Sequence, residues 1–244
     1  MNRPHPAIRG ILFDKDGTLV DFEATWRAIA QGMALRAAGG DDDLAAVLLA
    51  RAGYDAETAR FLPDSPFAAG TNADIVALWY PHAAAAERSE ALAAFDTYCA
   101  LEAAARAVPI DGVLDALRGL HAAGYRLAVA TNDSTTGAEA TVRALGIAQL
   151  FEAVYGYDAV ANPKPAGDVV QAFADMTGLK PSEIAMVGDN LHDMETGRAG
   201  GAGLVVGVLS GTGTGERLAA LADTVIGSAA ELPALLRERA GQPA

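Results

Sequence analysis

Four aspartates stand in two tight groups in this chain: Asp14 and Asp16 in Asp14-Lys15-Asp16-Gly17-Thr18, and Asp189 and Asp193 in Gly188-Asp189-Asn190-Leu191-His192-Asp193. Thr131, followed by Asn132 and Asp133, offers a hydroxyl, and Lys164, set between Pro163 and Pro165, offers an ammonium. Carboxylates gathered in one cleft raise each other's pKa and repel any anionic substrate. A hard dication with oxygen ligands, such as Mg²⁺, relieves both problems. Taken singly, each residue has a plainer reading. Asp14, Asp189 and Thr131 suit a turn or a helix cap, Asp193 suits the first turn of a helix, and Lys164 suits solvent. The ordered set is what points to chemistry.

For these residues to meet, something must bring them together across the sequence. The aspartate groups and Thr131 directly follow short apolar runs, at 8–13, 125–130 and 184–187. Further strand-like runs occupy 151–155, 204–208 and 224–226, and amphipathic helical patterns fill 112–122, 136–145, 166–178, 191–199 and 215–222. Short buried strands alternating with helices predict a parallel sheet covered on both faces. Ligands bind such sheets beyond the carboxyl ends of the strands, where these residues fall. Residues 21–106 have a different texture, rich in alanine and broken at Gly39-Gly40, Gly53, Pro63, Pro66 and Pro81. They read as several helices with no strand. The expected fold class is therefore α/β, a Rossmann-like doubly wound parallel sheet with an inserted α-helical cap. The core would comprise 1–20 and 107–244 and the cap 21–106, with Val108-Pro109 as the return hinge.

The run DKDGTLVD resembles the DxDGT signature of the haloacid dehalogenase-like superfamily. The resemblance continues in order through Thr131, the Pro-Lys-Pro loop at Lys164 and the GDxxxD motif of Asp189 and Asp193, with a helical insert after the first motif. It implies a phosphatase, closest to the phosphoglycolate phosphatase-like branch, acting on a small phosphate monoester. Asp14 would be the nucleophile and carry an aspartyl-phosphate, and Asp16 would act as acid and then base. Thr131, the backbone of Asn132, and Lys164 would bind the phosphoryl oxygens. Mg²⁺ would be held by Asp14, the backbone carbonyl of Asp16, Asp189 and Asp193, the last directly or through water. Two alternatives stand beside this one: a phosphosugar mutase of the same superfamily, and a non-enzymatic binding protein on the same scaffold.

Composition narrows the partners. The 244 residues carry 18 Lys and Arg against 31 Asp and Glu, a net charge of −13, which gives no general attraction to nucleic acid. No apolar stretch approaches the roughly 20 residues that span a bilayer. The opening MNRPHPAIRG does not read as a secretory signal. A cytoplasmic monomer or homodimer is expected. The single cysteine, Cys99, excludes an internal disulfide and reads as a buried thiol. Residues 1–6 and 239–244 read as frayed tails, and Asp41-Asp42-Asp43 as a turn and N-cap. His5, His82 and His121 form no set, whereas His192 lies inside the last motif. The Gly211-Thr212-Gly213-Thr214-Gly215 run could cradle a phosphate or form a flexible loop before a helix. Phe22 and Trp26 could pack the cap or line the substrate pocket.

Overall fold

A computed structural model describes residues 7–241. The expected N-terminal tail, 1–6, lies outside the described residues, as do 242–244. Arg239 does not belong to a tail: it is the last residue of the C-terminal helix.

β1 (Gly10–Phe13) is buried along its whole length. The helical segment follows: α1 (Phe22–Ala37), α2 (Asp42–Arg51), β2 (Tyr54–Asp55), β3 (Arg60–Phe61), α3 (Pro66–Ala69), α4 (Asn72–Trp79) and α5 (Ala85–Arg106). Local signals set its breaks. Asp21 caps α1 by accepting from the Ala24 N–H, and Asp41 caps α2 by accepting from the Leu44 N–H. Thr71 and Asp74 form a reciprocal capping box on α4. The antiparallel pair β2–β3 corrects the expectation of helices alone. Strands of two residues carry no alternating pattern to read. They are held instead by aromatic packing, Tyr54 against Phe61 with ring centroids 5.1 Å apart. Ile29, Met33, Leu48, Trp79 and Phe95 anchor a hydrophobic cluster drawn wholly from this segment. Cys99 is buried within it, its Sγ 3.3 Å from the Met33 sulfur, and burial pushes its thiol pKa up.

The second part runs α6 (Val113–Ala122), β4 (Arg126–Ala130), α7 (Thr135–Ala144), β5 (Ala153–Tyr155), α8 (Asp168–Thr177), β6 (Ile184–Gly188), α9 (Leu191–Ala199), β7 (Leu204–Val208), α10 (Gly215–Ala219), β8 (Thr224–Ile226) and α11 (Leu232–Arg239). The sheet is parallel, in the order β5-β4-β1-β6-β7-β8. Alternate residues of β1 serve opposite faces. Ile11 and Phe13 pack in the cluster that holds Leu117 of α6 and Leu236 of α11, while Leu12 packs with Val170 and Phe173 of α8. Met194 of α9 and Leu218 of α10 close a smaller cluster on Val205 of β7. Among the described residues, no helix is long and apolar enough to cross a membrane.

Register decides where the chemistry emerges. Phe13 of β1 lies level with Val129 of β4 and with Val187 of β6. The residues after these three strands therefore leave the sheet at one edge.

Candidate active site

Asp14 continues β1 and donates its N–H to the Val187 carbonyl at 2.8 Å, which ties it to β6. Three residues on, Gly17 adopts φ of +83°, a left-handed conformation that glycine accepts freely. A Cβ there would also lie 2.6 Å from the Asp189 carboxyl carbon. The turn at Gly17 thus lets the first motif lie against the last.

Lys164 is the centre of the first cluster. Its Nζ donates to Asp14 Oδ1 and to Asp193 Oδ1, each at 2.6 Å. The Lys164-Pro165 peptide bond is cis. Asp14, Asp189 and Asp193 bring oxygens within 4.8 Å of one another, and all three residues are buried. Asp189 Oδ2 accepts the Thr212 N–H at 2.7 Å, while its Oδ1 is buried with no partner among the described residues. The Gly211–Gly215 run leads into α10, as the loop reading expected, and does more. It wraps a carboxylate: a Cβ on Gly211 would approach Asp189 Oδ2 to 2.0 Å.

Three buried carboxylates share one ammonium, and the electrostatics record the imbalance. Burial raises the Asp14 pKa to about 7; Lys164 opposes this, and Asp193 and Asp16 add to it. Burial, then Asp14 and Asp193, hold Asp189 well above the usual carboxylate range. Burial pulls the Lys164 ammonium down, but Asp14 and Asp193 more than reverse that, and its pKa is raised. The residues fit a hard dication. The donors are all oxygen, the charge left over is negative, and Asp189 Oδ1 is a buried acceptor with no hydrogen-bond partner among the described residues.

A second cluster lies beside the first. Lys15, only 1% exposed, places Nζ 2.8 and 2.7 Å from the two Asp16 oxygens and 3.1 Å from Asp133 Oδ2. The Trp26 indole N–H donates to Asp16 Oδ1 at 2.6 Å, and the Lys15 ammonium stands 5.0 Å from the Trp26 ring centroid. Sequence reasoning missed Lys15 and Asp133 as site residues. One signal was available: a lysine at the end of a fully buried strand must find a carboxylate, and Asp133 ends the neighbouring motif.

Both clusters open on one cavity, about 50 Å³ as swept by a water-sized sphere. Asp14, Asp16, Thr131, Asn132 and Lys164 line it from the sheet side. Asp189 and Asp193 join through Asp14 and Lys164. Thr131 Oγ1 accepts the Asp133 N–H at 3.2 Å, and Asn132 Nδ2 donates to the Lys164 carbonyl at 3.1 Å. The helical segment supplies the opposite wall. Phe22 and Trp26 do both things expected of them, packing in its cluster and lining the cavity. That wall is tied down. The Ala69 carbonyl accepts from Asn132 Nδ2 at 2.7 Å and lies 3.1 Å from His192 Nδ1. Asp64 accepts the Leu191 N–H at 3.2 Å and pairs with Arg217 at 2.7 Å.

A model of the haloacid dehalogenase-like hydrolase family matches residues 8–201 of this sequence. The chain belongs to that family. It is also 32% identical to the phosphoglycolate phosphatase of Salmonella typhimurium over 228 residues, which cover 87% of this chain and 85% of that protein. The Escherichia coli K12 phosphoglycolate phosphatase is 32% identical over 227 residues, covering 86% and 85%. This haloacid dehalogenase-like hydrolase is therefore an enzyme of the phosphatase kind. Solved structures share its fold. A haloacid dehalogenase-like family protein of Streptococcus pneumoniae superposes with a TM-score of 0.68 at 23% identity, covering 93% of this chain and 98% of that one. CbbY of Rhodobacter sphaeroides, in complex with phosphate, gives 0.66 at 24%, covering 92% and 96%.

Proposed function

We propose that this haloacid dehalogenase-like phosphatase hydrolyses a small phosphate monoester, phosphoglycolate-like or sugar-phosphate-like, with Mg²⁺ and through an aspartyl-phosphate on Asp14. The observation that carries this is the buried group of Asp14, Asp189 and Asp193 around Lys164, at the end of a cavity that Asp16 and Thr131 also line. The metal would be held by Asp14, Asp189, Asp193 and the Asp16 backbone carbonyl. Bound there, Mg²⁺ supplies positive charge between the nucleophile and the phosphoryl group, which would otherwise repel each other.

The remaining work falls to the chain. Asp14 bonds to phosphorus as the bond to the leaving oxygen breaks. Asp16 gives a proton to that oxygen, then takes one from the water that attacks the aspartyl-phosphate, so each half-reaction returns it to the form the other needs. Two of the three Lys164 protons are engaged by Asp14 and Asp193, and the third remains for a phosphoryl oxygen. Thr131 Oγ and the Asn132 N–H serve the other oxygens. Residues 21–106 act as a cap over the core of 1–20 and 107–244. The cap forms the wall of the cavity opposite the sheet, where it would shield the reacting groups from water. A cytoplasmic setting suits such a substrate.

The test is release of inorganic phosphate from p-nitrophenyl phosphate and a panel of sugar and organic-acid phosphates, with Mg²⁺ and with EDTA. Mg²⁺-dependent release is expected; none from any ester overturns the proposal.

A further inference from the structure

The half of the cavity that would receive the leaving group is made by the helical segment, and its charge is unusual for a site that handles anions. Its side chains are Phe22, Trp26, Phe67 and Ile75, with Thr71 and Asn72 the polar members. Among the described residues, no arginine or histidine lines the cavity, and the lysine that does is Lys164, bound to Asp14 and Asp193.

Thr71 and Asn72 are already engaged elsewhere. The Thr71 hydroxyl donates to Asp74 Oδ2 at 2.8 Å and accepts the Asp74 N–H at 3.2 Å. Asn72 Nδ2 donates to Asp96 Oδ1 at 2.9 Å, and the other Asp96 oxygen accepts the Tyr157 hydroxyl at 2.7 Å. The positive pole in this wall is the first turn of α4. It carries its own anion, since Asp74 Oδ2 accepts the Thr71 N–H at 2.8 Å. Asp16 and Asp133 add two carboxylates to the lining.

A carboxylate on the leaving group, such as that of phosphoglycolate, would be buried here against aromatic rings, near other carboxylates and with no free cation to meet it. Burial of an unpaired charge is strongly unfavourable. We infer that the ester hydrolysed at this site has an uncharged leaving group with an apolar face, seated against Trp26 and Phe67, whose ring centroids are 6.0 Å apart. This rests on the phosphatase reading of the site and selects among its possible substrates. It separates this chain from what the names of its 32%-identical relatives suggest.

The experiment compares kcat/KM of the full chain with Mg²⁺ for 2-phosphoglycolate, phenyl phosphate and glycerol phosphate. The two esters with uncharged leaving groups should exceed phosphoglycolate by on the order of 10- to 100-fold. Ala68, half-buried in the same wall, provides a second arm. Ala68→Lys should move the ratio toward phosphoglycolate by about tenfold, one discriminating contact. Phosphoglycolate turned over as well as the esters with uncharged leaving groups overturns the inference and leaves the phosphatase reading standing. A ratio unmoved by Ala68→Lys overturns its electrostatic basis. No release from any ester overturns both readings together.

Discussion

Two buried lysines flank the end of β1, and the charge they are asked to balance differs. Lys15 meets two carboxylates, Asp16 and Asp133, and the Trp26 indole and ring complete its surroundings. Lys164 meets Asp14 and Asp193, but Asp189 stands within reach of both with an oxygen left bare. The first cluster sets one ammonium against two carboxylates, with Asp133 Oδ2 held by the ion pair alone and the Asp133 pKa raised by burial, whereas the second sets one ammonium against three carboxylates. The cluster with the smaller deficit holds Asp16 in place beside the cavity, whereas the one further short of positive charge is prepared for something from outside.

The sharpest way to break this contrast is Asp14→Asn. It removes the proposed nucleophile yet keeps the shape, so turnover should fall to background while thermal unfolding stays near that of the parent. Retained turnover would move the reaction to another residue. Lys15→Met should act on the fold as well as on turnover through Asp16. Asp16 and Asp133 are left buried without their cation, and urea denaturation should show a loss of about 3–5 kcal/mol. A loss under about 1 kcal/mol, the worth of a surface pair, would show that the two clusters are not so different.

Thr131→Val comes next. The hydroxyl touches both sides, accepting from the Asp133 N–H and facing the cavity. Its removal should lower kcat by on the order of 10²-fold, as for a lost donor to a developing oxyanion. An unchanged kcat would place the phosphoryl group elsewhere.

The smallest effect is on stability and pH. Asp14 titrates near 7 in the fold, against 3.8 for an ordinary aspartate. Its folded pKa is the higher one, so the folded chain binds the extra proton between those values. Without metal, Asp14 costs no stability below the lower value, costs progressively more as pH rises through the window, and costs its full amount above about 7. Mg²⁺ needs the deprotonated form, so the rise in Tm on adding Mg²⁺ should be larger at about pH 7.5 than at about pH 5.5. A gap independent of pH would show that the Lys164 cluster does not hold the ion.

The alternation of apolar runs and amphipathic helices made the parallel sheet legible, because strands buried on both faces read as continuous apolar stretches. The residues after β1, β4 and β6 were legible for the same reason, since register brings those strand ends level. Other features were closed to that reading. β5 begins at Ala153 and not at Phe151, and β2 and β3 are too short for any period to show. Lys15–Asp133 joins residues of different motifs through burial, which no local pattern reports. The glycines at 211–215 left a phosphate cradle open beside the loop before a helix, because phosphate cradles and carboxylate cradles need the same small residues.

β1 lies in the middle of the sheet, between β4 and β6. On a ribosome that strand emerges first and waits longest, since one neighbour is complete only after residue 130 and the other after 188. The segment made in between closes a hydrophobic cluster of its own, from Phe22 to Ala103. Translation thus delivers the helical segment before most of the sheet, and the Asp14 that follows β1 gains its companions only as the last third of the chain arrives.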